Sequence, residues 1–163
     1  MDSNSYFNHP PFDSFPFKTF LQVIDKMEYL NEESSPYEIS PGTDLCISDT
    51  YYSLGFLTYL HAFGRVNNIN SEWILNPIGE KPTEKPYRFK LISDAVEILE
   101  ALLNGNKTTG EIKRVIPNLT EELINEYLNV LLFLSQRRKV EQRATGWDAT
   151  FVLTEWEQIK KEI

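Results

Sequence analysis

The sequence contains a single cysteine, Cys46, and only two histidines, His9 and His61. One thiol cannot form an intramolecular disulfide bond, and a lone cysteine is typical of a reducing compartment. These three residues are too few and too scattered to predict a zinc site. We therefore expect a cytoplasmic protein that is held together by its hydrophobic core, with no metal.

Glycine is also scarce, and the seven glycines are scattered, so no phosphate-binding loop is predicted. No apolar run approaches the roughly 20 residues of a membrane helix, and the N-terminal segment MDSNSYFNHPPF does not resemble a signal peptide. No nucleophile lies beside a base in any pattern that predicts catalysis. These observations favour a non-catalytic protein with no cofactor and no membrane association.

Basic residues are few in the first half of the chain. Residues 1–84 contain four Lys and Arg residues against twelve Asp and Glu residues, whereas residues 85–163 contain twelve of each. The whole net charge of −8 therefore belongs to the first half. Because such a half repels phosphates and acidic membranes, we expect it to face protein or solvent.

An N-terminal tail, residues 1–16, combines prolines with phenylalanines. The prolines oppose a helix, and the phenylalanines are costly to leave in water. We expect the tail to pack on its own domain or on a second copy of the chain. The alternative is a docking segment for another protein. The residues concerned are Pro10, Pro11 and Pro16 together with Phe7, Phe12 and Phe15.

Residues 17–75 predict an acidic N-terminal domain of three helices and two short strands. Apolar residues at helical spacing indicate a first helix to about residue 30 and a third helix over about residues 48–63. Between them, Ser35 and Glu38 form a capping box in front of a short helix. The segment from Val66 to Leu75 indicates two strands around residues 67–70.

A proline-rich stretch, residues 76–89, predicts a linker, after which the pattern restarts. Residues 90–163 predict a C-terminal domain that begins with a helix capped by Ser93 and ended by Gly105. A short helix follows the capping box that Thr108 begins, and a long helix then reaches about residue 136.

The last predicted elements are two strands, residues 139–144 and 147–153, and an amphipathic helix over residues 154–163. Several apolar residues lie on the inner faces of the second-half elements, so we expect them to share a core. They are Leu99, Leu128, Leu131, Leu134 and Phe151.

The two halves align with each other at nearly constant offsets. At an offset of 73, Ser35 and Glu38 coincide with Thr108 and Glu111, and at an offset of 74 Trp73 coincides with Trp147. The apolar faces of the helices coincide in the same order. This match predicts a duplicated domain. The alternative is one domain preceded by an unrelated helical extension.

The order helix, short helix, long helix and hairpin resembles a winged helix-turn-helix domain. The segment GWDATFVLTEWEQ, with Phe151, Leu153 and Thr154, is similar to the second wing strand and following turn of bacterial regulators of the MarR and PadR kind. Two such domains in an acidic chain also resemble the tandem winged-helix subunits of condensin-type and endosomal-sorting complexes, which are protein-binding adaptors. The resemblance implies a mainly α-helical α+β protein with small β-hairpins: two winged-helix domains in tandem.

Charge opposes DNA reading by the long helix of the second half. In DNA-binding helix-turn-helix proteins the start of this helix enters the major groove. Here it carries Glu121, Glu122 and Glu126, which phosphates repel. The corresponding stretch of the first half, residues 48–51, has no base.

A group of basic residues elsewhere in the second half instead favours contact with nucleic acid. These residues are candidates for contact with nucleic acid or with an acidic protein partner. Alternatively, they stabilise helix ends and pair with acids of the other half. They are Lys113, Arg114, Arg137, Arg138, Lys139 and Arg143.

We therefore expect a non-catalytic protein-binding adaptor or regulator built on tandem winged helices, with a homodimer as the expected assembly. The second hypothesis is a DNA-binding transcriptional regulator that uses the C-terminal winged helix. The candidate protein interface consists of aromatic residues of the tail and helices, namely Phe7, Phe12, Phe15, Tyr51, Tyr52 and Trp156.

Overall fold

A computed structural model of the protein describes residues 15–83, 90–143 and 146–151. The same order of elements, three helices and then an antiparallel hairpin, occurs twice. The first half contains α1 (Phe15–Leu30), α2 (Pro36–Ile39), α3 (Ile47–Phe63), β1 (Gly64–Ile69) and β2 (Glu72–Pro77). The second half contains α4 (Lys90–Leu103), α5 (Thr109–Val115), α6 (Glu121–Arg137), β3 (Arg138–Gln142) and β4 (Trp147–Phe151).

The described part of the chain is thus mainly helical with small hairpins, an α+β fold, as the sequence predicted. None of its helices combines the length and the apolar content that a membrane span requires. The predicted amphipathic helix over residues 154–163 and most of the predicted tail lie outside the described residues.

The two capping boxes predicted for the short helices are both present. The backbone N–H of Ser35 donates to Glu38 Oε1 at 3.0 Å, and that of Thr108 donates to Glu111 Oε1 at 3.0 Å. The backbone hydrogen bonds lower the pKa of both carboxyl groups, so both caps weaken as the pH falls through that lowered range. These local signals explain why α2 and α5 begin where the sequence predicted.

The turn of the first hairpin lies later than predicted. β1 and β2 pair in register from Gly64 opposite Pro77 to Ile69 opposite Glu72, so residues 67–69 belong to a strand. The turn is formed by Asn70 and Ser71, with φ angles of 52° and 69°. Two successive positive φ angles are the geometry of a tight turn that matches strand twist. β2 also extends two residues into the predicted linker.

Two helix starts also differ from the prediction. α1 begins at Phe15, inside the predicted tail. α4 begins at Lys90, so Ser93 is an internal residue of the helix and not its N-cap. Ile92 is only 1% exposed. Burial of this side chain stabilises the additional helical turn before Ser93. This stabilisation outweighs the preference of Ser93 for the N-cap position.

The buried apolar side chains form one continuous cluster that includes residues of both halves. Two separate small cores, as the sequence suggested, are not present in the described chain. In the second half Leu99, Leu128, Leu131 and Leu134 are at most 4% exposed, which confirms their predicted burial. The side chain of Phe151 lies outside the described part.

Each hairpin packs mainly on the other half. β1 lies against α6 and β2 against α4, while β3 lies against α3 and β4 against α1. The backbone N–H of Val66, in β1, donates to Ser135 Oγ of α6 at 3.1 Å. The two hairpins are therefore exchanged between the halves, and each completes the packing of the opposite long helix.

Each hairpin also contacts a loop of the opposite half. Trp73 of β2 and Lys107, just before α5, exchange two backbone hydrogen bonds of 2.7 and 3.0 Å. At the turn of the second hairpin, a Cβ on Gly146 would lie 3.0 Å from the carbonyl oxygen of Ser34, just before α2. Each hairpin thus contacts the loop that precedes the short helix of the opposite half.

The shared core predicts a large effect for Leu131→Ala on α6. Leu131 is 1% exposed, so its truncation should lower the free energy of unfolding by about 2–5 kcal/mol. Leu103→Ala is the matched control, because Leu103 is 39% exposed and its loss should cost about 1 kcal/mol or less. Urea denaturation measures both, and equal costs would contradict the assignment of Leu131 to the core.

Candidate interaction surfaces

The start of α6 is acidic and open to solvent, as the sequence predicted. Glu121, Glu122 and Glu126 are all exposed. The helix is capped by Thr120, whose Oγ1 accepts a hydrogen bond from the backbone N–H of Leu123 at 3.1 Å. Carboxylates in the first turn also favour the helix dipole. This end of α6 therefore presents negative charge to any partner.

Lys113, a candidate contact base, has an internal structural role. Its Nζ donates to the carbonyl oxygens of Pro117 and Leu119, at 2.6 Å each. These carbonyls lie in the turn between α5 and α6, where the backbone has no helical partners. Lys113 therefore fixes this turn, and its charge is neutralised in part by two backbone dipoles.

Arg143, another candidate base, forms ion pairs at the turn of the second hairpin. Its Nη2 lies 2.9 Å from Asp148 Oδ2, and its Nε lies 4.0 Å from Glu33 Oε2. Glu33 belongs to the first half. Arg143 therefore agrees with the alternative hypothesis, in which the bases pair with acids of the other half. Because the arginine is about half exposed, each pair contributes little to stability.

The remaining bases are not brought into one described site. Arg114 is exposed on α5. Arg138 and Lys139 occupy β3 opposite Phe151 and Thr150, and Arg137 ends α6, but the side chains of these three bases lie outside the described part. Since β3 packs on α3, their backbone lies beside the long helix of the first half.

An aromatic pair is exposed where α2 meets α3. Tyr37 is 69% exposed and Tyr51 is 44% exposed, and their rings meet edge to face with centroids 6.4 Å apart. We call this pair the tyrosine face. Tyr51 was predicted as an interface residue. Tyr37 was not, although its place in a short helix whose Pro36 and Ile39 are buried leaves it on the outer side.

The other predicted interface residues are less informative. Tyr52 is only partly buried and packs against the core. Phe7, Phe12 and Trp156 lie outside the described residues, as does the side chain of Phe15. Their role as an interface stays a prediction. A further exposed aromatic, Tyr29, is 81% exposed near the end of α1, with Lys26 Nζ 5.7 Å from its ring centroid.

Chemistry-bearing side chains are dispersed in the described part of the chain. No group of three or more His, Cys, Asp or Glu residues there has the geometry to hold a metal ion. His61 lies 3.7 Å from Glu141 Oε1, a contact between α3 and β3 that again joins the two halves. Cys46 is exposed and forms no disulfide bond in the described part of the chain.

The comparisons with known proteins add no assignment. No family model matches the chain, and no curated protein or solved structure matches it significantly.

The contacts of Lys113 predict a stability effect that a phosphate-binding base would not show. Lys113→Met keeps the aliphatic chain but loses both hydrogen bonds, so it should lower the free energy of unfolding by about 1 kcal/mol. Arg114→Met, the neighbouring exposed base, should change it by about 0.5 kcal/mol or less. Equal effects in urea denaturation would show that the two carbonyl contacts contribute nothing.

Proposed function

We propose that this chain is a non-catalytic protein-binding adaptor made of two winged helices whose wings are exchanged. Three helices followed by a hairpin, repeated, is the element order of tandem winged helices, and each hairpin lies beside the opposite long helix. The observation that carries the function is the tyrosine face. It lies on the helix pair with which a helix-turn-helix domain meets its target.

The chemistry of the tyrosine face fits a protein partner. Tyrosine is enriched in protein interfaces because its ring offers large contact area with a polar tip. Beside it Glu38, the residue after Tyr37, is exposed and adds a negative charge. A surface of aromatic and acidic side chains repels nucleic acid and favours a partner with basic residues, above all arginine, which stacks on tyrosine.

The exchange of hairpins also disfavours DNA reading. A DNA-binding winged helix combines a recognition helix with a basic wing beside it. Here β3 packs on α3, whose first turn has Asp49 and no base, while β1 packs on α6, whose first turn has Glu121 and Glu122. Lys113 and Arg143, moreover, already have intramolecular partners.

A homodimer is part of the proposal. The sequence motivates it through the aromatic residues of the tail and C-terminal segment, Phe7, Phe12, Phe15 and Trp156, whose side chains a second copy would cover. Light scattering would test this, because a species of 19.0 kDa at high concentration would contradict it.

The adaptor proposal predicts that the tyrosine face is needed for partner capture. Tyr37→Ser combined with Tyr51→Ser should abolish capture of a partner that the parent retains, because the anchor rings are lost. Tyr29→Ser is the matched control, since this tyrosine is more exposed but lies outside the face. Quantitative pull-down with purified parent and variants measures the effect, and circular dichroism confirms folding. Equal capture by all three proteins would contradict the assignment.

For duplex DNA we predict weak binding at physiological salt, weaker than the usual nonspecific range of about 10⁻⁴–10⁻⁶ M. Fluorescence polarisation with mixed-sequence duplexes measures it. The decisive comparison replaces Arg137, Arg138 and Lys139 with serine. If the parent binds DNA at micromolar strength and the triple variant loses only that activity, the DNA-binding regulator takes the place of the adaptor.

A further inference from the structure

An open groove of about 800 Å³ runs between the two halves. Its walls come from α1 and α3 of the first half and from α4 and α6 of the second. Most of the surface exposed inside it is apolar, from side chains such as Leu45, Leu91 and Leu123. Its volume lies within the range of about 300–1,000 Å³ that is typical of small-molecule sites.

A buried carboxylate lies in the wall of this groove. Asp94 is only 5% exposed. Its Oδ1 lies 3.4 Å from Lys90 Nζ, and the hydroxyl of Tyr127 lies 3.5 Å from its Oδ2. Both distances exceed those of strong charged hydrogen bonds, about 2.5–2.9 Å. Lys90 is 77% exposed, so water competes with it for the carboxylate.

The hydroxyl of Tyr127 stays a donor at neutral pH. Burial, and next the nearby Asp94 charge, raise the pKa of this phenol above its usual value. A donor at 3.5 Å nevertheless leaves most of the hydrogen-bonding capacity of Asp94 unused. A buried carboxylate with such weak partners is costly unless a further donor or cation reaches it.

A second buried polar group, on the opposite side of the groove, has no hydrogen-bond partner in the described part of the chain. Ser53, on α3, is 1% exposed, and its Oγ forms no hydrogen bond. An unpaired buried hydroxyl is destabilising, and native proteins keep few of them. Ser53 and Asp94 belong to opposite halves, so the groove offers polar atoms from both of its sides.

We propose that this groove binds a small organic amine: an aryl or alkyl body on the apolar walls, with its cationic nitrogen donating to Asp94 and Ser53. The charge distribution supports a cation. The polar groups at the rim include two lysines, Lys18 and Lys90, and two carboxylates, Asp44 and Asp49, which balance. Asp94 then leaves the groove with one excess negative charge, buried beside the apolar surface.

Three probes with the same phenethyl body and different head groups test this on the full chain: phenethylamine, phenethyl alcohol and 3-phenylpropanoate. Titration calorimetry at fixed salt should show saturable binding of the amine at millimolar concentration or below. The neutral alcohol should bind about tenfold more weakly or worse, and the anion should not bind. The expected order follows the charge of the head group, because the apolar body is the same in all three.

Variants of the two polar groups separate a binding role from a structural one. Asp94→Asn should weaken amine binding about tenfold or more, whereas Asp148→Asn, a matched change outside the groove, should leave it unchanged. Ser53→Ala should weaken it a few-fold and at the same time raise the melting temperature of the free protein, because an unpaired buried hydroxyl is removed. A merely structural serine would show the opposite change in melting temperature.

Several results would overturn the proposal. They are the absence of amine binding to the parent, equal affinity for all three head groups, and full affinity in a folded Asp94→Asn variant. Binding that appears only after removal of residues 1–14 would assign the groove to the N-terminal segment of the chain itself. Binding that disappears as the protein self-associates would assign it to a second copy.

Discussion

The junction between each long helix and the strand that follows it determines the rest of the structure. α3 ends at Phe63 and β1 begins at Gly64, and α6 ends at Arg137 where β3 begins at Arg138, so neither junction has a loop residue. Without a loop, a strand cannot reverse direction onto its own helix. Gly64 also permits the close approach of β1 to β2, since a Cβ there would lie 2.7 Å from the carbonyl oxygen of Asn76. Each hairpin is therefore directed to the opposite half, and one core results.

The sequence predicts most of the elements, because their signals are local. Ser35 and Thr108 each cap a helix through contacts within four residues, and Leu131 follows a helical period. The exchange of hairpins has no such local signal, since the periodicity of β1 is the same whichever helix it covers. Ser93 is a second example of a signal that is not local. Serine favours the N-cap position, but the burial of Ile92, a tertiary contact, makes α4 begin before Ser93.

The same distinction between local signals and tertiary contacts applies to the candidate surfaces. Charge along the sequence correctly predicted the acidic, exposed start of α6. It did not predict that Lys113 binds two carbonyl oxygens or that Arg143 pairs across the halves, because a list of bases does not include their partners. The exposure of Tyr37 could have been predicted from the sequence, because this residue is on the outer side of a capped short helix. The groove could not have been predicted, because its polar residues, Ser53 and Asp94, come from opposite halves of the chain.

The tyrosine face and the groove are physically connected through α3. Tyr51 and Ser53 are two residues apart on this helix, one exposed and one buried in the groove wall. The proposed amine would contact both halves, including α3 and α4. A partner on the tyrosine face contacts the same helix from outside. Coupling between two sites is reciprocal, because each ligand changes the affinity for the other by the same factor. The proposed amine and the proposed protein partner would thus contact one helix, α3, from its two sides.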